Sequence, residues 1–193
     1  MTNRMNYTEE VLKYIKHFFG EIRGVSAVEF ALMAPVLLLM IMGGFETFNL
    51  YRFSIKVERT VASIGDITAR QAVISESHLS DIFELTSQLD ERLQIEEDDY
   101  RVFVVSISND PEEGLSVNWV RDHGSLAHNS RVAEQTETLV ASELVESEYE
   151  NLIASEAVFA YQPIFPGFLF SERLVHRHSF FRPRSGRLTT IAP

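Results

Sequence analysis

Between Arg23 and Phe45 the chain reads RGVSAVEFALMAPVLLLMIMGGF, and the reading of this stretch decides the rest of the fold. Val25–Phe45 is 21 residues long, with Glu29 as its only charged member. A helix crossing ~30 Å of hydrocarbon needs about 20 mostly apolar residues, so the segment just suffices if Glu29 sits near the interface. Lys13, Lys16 and Arg23 precede the run, and little positive charge follows until Arg52 and Lys56. That bias keeps the N-terminus cytoplasmic and exports the C-terminal part. Pro35 lies inside the run; spanning helices tolerate proline because nearby groups rescue the freed carbonyl, and a kink is expected there.

Three readings compete for this segment. A cleaved secretory signal has a shorter apolar core, about 7–15 residues, and ends in a small-residue site. Here the core is longer and is followed by Gly43-Gly44-Phe45-Glu46-Thr47, a weak match. A plain uncleaved anchor of a single-pass scaffold or sensor protein needs no Glu29. A charge inside the membrane costs about 2.5–3.5 kcal/mol at the helix centre on insertion scales, and less near an end. Glu29 therefore either rests in the headgroup zone or has a partner.

The 193 residues suffice for one compact domain with an appendage. The chain carries net charge −11, and residues 25–193 hold 13 Lys and Arg against 25 Asp and Glu. Such a surface lacks the basic footprint of a nucleic-acid-binding protein, so no nucleic acid is expected as a partner. There is no cysteine, which excludes thiolate catalysis, iron–sulfur clusters and disulfides.

Beyond Phe45 the apolar positions of residues 46–70 keep a helical stripe, which predicts one helix from Val25 to about Arg70 with weak points at Gly43-Gly44 and Gly65. Leu79, Ile82, Phe83, Leu89 and Leu93 predict a second helix over Ser75–Ile95. Glu96-Glu97-Asp98-Asp99 reads as a solvated loop, because the spaced oxygen ligands and glycine of a calcium loop are missing. Arg101–Ser108 and Leu115–Arg121 read as strands joined by the turn Asn109–Gly114. Ser130–Glu148 has the spacing of a third, amphipathic helix, and Leu152–Phe165 and Leu174–Phe181 read as strands. The fold class is α+β: a long N-terminal hydrophobic helix, then a small head with a four-stranded antiparallel sheet and amphipathic helices.

Candidate chemistry is sparse. His176 and His178 share a strand face, but a zinc site wants three or four ligands and no companion is identifiable. The scattered hydroxyls and histidines form no nucleophile–base pattern, and no phosphate loop exists. Neither a cofactor nor a catalytic residue is expected, and a membrane-tethered hydrolase finds no constellation. Arg173, Arg177, Arg182, Arg184 and Arg187 concentrate positive charge at one end of an acidic chain. They form either a solvated strand face, a set of partners for the chain's own acids, or a docking patch for an acidic neighbour.

The spacing of Gly24, Glu29 and Phe30 ahead of the apolar run resembles a type IV prepilin processing site of the Flp (Tad) class. AVEFALMAPVLLLMIMGGFE resembles the TadE-like group of Tad pilus-assembly proteins, described as minor pilins or pseudopilins. Residues 160–165 (AYQPIF) and 181–186 (FRPRSG) match, loosely, the aromatic-x-Pro and Arg-Pro-Arg elements of that group's C-termini. The resemblance implies that residues 1–24 are a cytoplasmic basic leader, removed by a prepilin peptidase between Gly24 and Val25. It implies a transmembrane helix over 25–45 and a periplasmic head over 46–193, held in the inner membrane and able to enter a cell-surface pilus. The implied partners are other pilins and pseudopilins of the Tad system, the inner-membrane assembly platform and the lipid bilayer. Glu29 and Phe30 would then serve assembly: the Glu29 carboxylate pairs with the new α-amine of a neighbouring subunit and fixes axial register.

Overall fold

The computed structural model describes residues 7–20, 22–93, 96–110, 114–140, 151–167 and 171–192. The chain forms two compact units, Met1–Thr47 and Phe48–Pro193. In the first unit, helix α1 spans Tyr7–Gly20 and the long helix α2 begins at Ile22, continuing to Arg70 within the second. The helical assignment runs unbroken through Pro35 and Gly43-Gly44. Thr47 turns its hydroxyl back to donate to the Gly43 carbonyl at 2.8 Å.

The second unit is the expected α+β head. Its elements are the end of α2, β1 (Ile74–Ser75), α3 (Glu76–Leu93), β2 (Tyr100–Asp110), β3 (Gly114–His123), α4 (Arg131–Glu134), α5 (Thr136–Leu139), β4 (Asn151–Tyr161), β5 (Arg173–Phe181) and β6 (Ile191–Ala192). The antiparallel sheet has the order β3-β2-β4-β5. Alternation along the strands sorts side chains onto two faces. On the first, Val102, Val104, Trp119, Ile153, Ala157 and Phe159 meet Val57, Val61 and Ile64 of α2 and Leu79, Ile82 and Phe83 of α3. The three α2 residues are spaced for one helix face and fully buried, worth about 1.5–3 kcal/mol each. On the second face, Phe103, Val105, Ile107, Leu152 and Ala154 pack against Val132 and Val140.

Gly65 is no weak point of α2. A Cβ there would lie 2.5 Å from the Phe181 ring and from Ser155 Oγ, so the glycine lets the helix lie close on the sheet. At the same place Ser155 Oγ donates to the Val61 carbonyl at 2.7 Å. The third helix expected over Ser130–Glu148 is also corrected. Two four-residue helices stand there, broken at Gln135 (φ −127°, ψ 39°), and the chain is extended again at Val140. The break lets Val132 and Val140 both reach the second sheet face; residues 141–148 lie outside the described residues. The strand expected over Leu152–Phe165 ends at Tyr161, ahead of Pro163, which has no N–H for a ladder. The acidic run forms a single 3-10 turn at Glu97–Asp99. A parallel pair, β1 with β6, was unforeseen.

That pair ends a C-terminal strap. The Arg184 N–H donates to the Ala69 carbonyl at 2.9 Å, satisfying one of the free carbonyls at the end of α2. Further on, Leu188 is buried, its N–H donating to Asn151 Oδ1 at 2.9 Å. Its carbonyl accepts from Ser106 Oγ at 2.7 Å and Trp119 Nε1 at 2.8 Å.

Candidate functional site

The apolar segment of α2 presents its side chains outward. Val25, Phe30 and Leu32 are 56%, 69% and 71% exposed, and Val36, Leu38, Met40 and Ile41 are exposed as well. The helix is long and apolar enough to cross a membrane, which fits a single-pass anchor. Large apolar residues exposed around a helix require a covering environment, lipid or neighbouring helices. A Cβ at Gly24 would meet nothing within 4 Å, so packing within the chain does not demand this glycine. Val25 and Glu29 are four residues apart and so share a face, with Cβ atoms about 6 Å apart. Glu29 is exposed, and among the described residues no hydrogen bond or ion pair engages it.

A second carboxylate stands in the opposite situation. Glu156 projects from β4 onto the second sheet face and is fully buried. It accepts from the Ser130 hydroxyl, from the amides of Arg131 (2.9 Å) and Val132 (3.2 Å), and bonds His176 Nε2. Ser130 is the N-cap of α4, its Oγ also accepting from the Ala133 amide at 3.0 Å. Burial pushes the Glu156 carboxyl up, but the His176, Ser130 and two amide bonds outweigh it and hold it below the ordinary glutamate value. Glu156 was not foreseen; the signal that could have found it is a lone acid in the mostly apolar run LIASEAVFAY.

His176 and His178 do share a strand face, with ring centroids 5.9 Å apart. His178 is held below the ordinary histidine value by burial and by His176 and Arg177, against an opposing pull from Glu156. Among the described residues no group of three or more His, Asp or Glu is arranged to hold a metal. Ser130, Glu156 and His176 are the three residue types of a hydrolytic triad, but in the wrong order. Here the carboxylate sits between hydroxyl and imidazole, so the imidazole cannot take the hydroxyl proton, as a nucleophile–base pair requires.

The arginines divide. Arg177 donates to Ser54 Oγ on α2 and, at 2.7 Å, to the His176 carbonyl. Arg184 donates to Asp66 Oδ1 at 2.7 Å, and Arg70 engages the same carboxylate. The Arg70 hydrogen bond leads in holding Asp66 below its usual range, with a smaller opposing push from burial and help from Arg184. Arg173 and Arg182 are exposed. Thus Arg177 and Arg184 tie strand and strap to α2.

Residues 24–63 match the family model described as TadE-like protein. No curated protein and no solved structure matches the chain.

Proposed function

We propose that the chain, whose residues 24–63 match the TadE-like family model, takes part in Tad pilus assembly as a minor pilin or pseudopilin cut by a prepilin peptidase between Gly24 and Val25. The leader stays cytoplasmic, the helix over 25–45 is released into the inner membrane from that side, and the head lies in the periplasm. The chain is a substrate of an enzyme and performs no catalysis itself. It primes, caps or modifies the filament by packing its N-terminal helix against those of other pilins on the assembly platform.

The observation that carries this reading is the pairing of an exposed apolar helix with an exposed Glu29, one turn from Val25, that nothing among the described residues engages. Cutting before Val25 creates a cationic amine in a region entering lipid. An unpaired charge in low dielectric is costly, so the amine of one subunit and the Glu29 carboxylate of the next stabilise each other only at one axial register. Gly24 is consistent with the same reading, since packing among the described residues does not ask for a glycine there. A Gly24→Trp variant tests the proposal in cells carrying the rest of a Tad system. It should accumulate uncut in the membrane and be missing from sheared pili. Equal incorporation of the uncut variant would favour an uncleaved scaffold instead.

A further inference from the structure

We propose that the outer edge of β5 is a docking site for an extended, acidic segment of another protein, which adds to the sheet as a fifth strand. The sheet order β3-β2-β4-β5 leaves two edges, and they are built differently. β3 is interrupted by a bulge at Asn118, where the pairing shifts between Ser106 and Ile107. It is also tethered to α3, because Arg121 grips the Glu76 carboxylate with contacts of 2.6, 2.9 and 3.1 Å. Bulges and covering elements are the usual means of closing an edge to further pairing.

β5 lacks the bulge, although Arg177 ties it to α2 through Ser54 Oγ. Its nine residues, RLVHRHSFF, pair with β4 without a register shift and contain no proline or glycine. No strand follows it in the sheet among the described residues. Along one face run Leu174, His176, His178 and Phe180, with rings 5.9 Å and 5.3 Å apart along the last three, and Leu174 is 51% exposed. An added strand would lay alternate side chains along this apolar and aromatic row.

Charge selects the occupant. From Arg173 to the C-terminus the sequence holds five arginines, of which Arg177 and Arg184 are engaged by Ser54 and Asp66, together with two histidines and no Asp or Glu, in a chain whose net charge is −11. A second copy of β5 would set arginine beside arginine and is disfavoured, whereas a strand bearing carboxylates is attracted. The proposal does not depend on cleavage at Gly24, nor on the chain entering a filament.

The test uses the full chain in detergent micelles and short synthetic peptides that alternate glutamate with valine. A second peptide replaces glutamate by lysine. A third keeps the glutamates but carries N-methyl groups on two adjacent central backbone nitrogens, so neither of its edges can pair along its length. The acidic peptide should bind about tenfold or more tighter than either control. It should also slow amide hydrogen exchange in residues 173–181 and leave residues 114–123 unchanged. Equal affinity of the methylated peptide would reduce the site to charge alone and overturn strand addition. Protection appearing in β3, or no binding of the acidic peptide, would overturn it as well.

Discussion

Glu29 and Glu156 are both carboxylates set in apolar stretches, yet the molecule treats them in opposite ways. Glu156 lies within a strand whose every residue is buried, and the fold brings four donors to it. Glu29 lies on a helix whose apolar residues are exposed, and among the described residues nothing engages it. A buried charge is tolerated when hydrogen bonds satisfy it. The difference lies in their surroundings: Glu156 finds its partners in its own chain, and Glu29 has none among the described residues.

The largest effect should follow from breaking the satisfied site. Glu156→Ala strands the Ser130 hydroxyl, two amides and an imidazole and should destabilise the head by about 3–5 kcal/mol in urea titrations. Glu156→Gln, which keeps the shape and one acceptor oxygen, should cost clearly less. Next comes Gly65→Ala, where overpacking against Phe181 should cost about 1–3 kcal/mol. Gly44→Ala, with nothing within 4 Å of its Cβ, should be neutral or slightly stabilising in the same titration.

Acid should separate the wild-type head from its Glu156→Gln variant. Glu156 has a folded pKa below the ordinary glutamate value, so it contributes stability above that value, lost as pH falls through the folded pKa. His178 has a folded pKa below 6.5, so the unfolded chain binds its proton first and stability begins to fall below pH 6.5. Both act in one direction: melting temperature should drop as pH goes from 7 to 4, and drop further below 4. In Glu156→Gln the lower limb should flatten, and an unchanged profile would show that Glu156 is not the group responsible. The smallest effect on the head belongs to Glu29→Ala, whose melting should match wild type within about 0.5 kcal/mol. Its consequence should appear only in assembly, as a severalfold loss of pilus incorporation without loss of cleavage.

The contrast also explains what was legible in the sequence. The apolar run, Glu29 and the four sheet strands announce themselves locally, by length, by a misplaced charge and by alternation. Glu156 does not, because Ser130 and His176 are 26 and 20 residues away and only the β4–β5 pairing and α4 bring them in. Gly65 was misread for the same reason, since a helical glycine means weakness or close approach depending on a distant neighbour, here Phe181. The acid-rich segment after Ser130 carries a helical period, but packing Val132 and Val140 on the sheet overrides it. β1 and β6 are two residues each, too short for any pattern. Which of the three readings of the arginines holds was not legible locally, because Asp66 and Ser54 engage Arg184 and Arg177 through contacts more than a hundred residues apart.

The most direct measurement is the N-terminal residue of the protein isolated from membranes of cells with an active prepilin peptidase, read by intact mass and terminal sequencing. A start at Val25, with residues 1–24 gone, is the result expected of a subunit whose new amine awaits a neighbour's Glu29. A chain that still begins at Met1 under those conditions would contradict it.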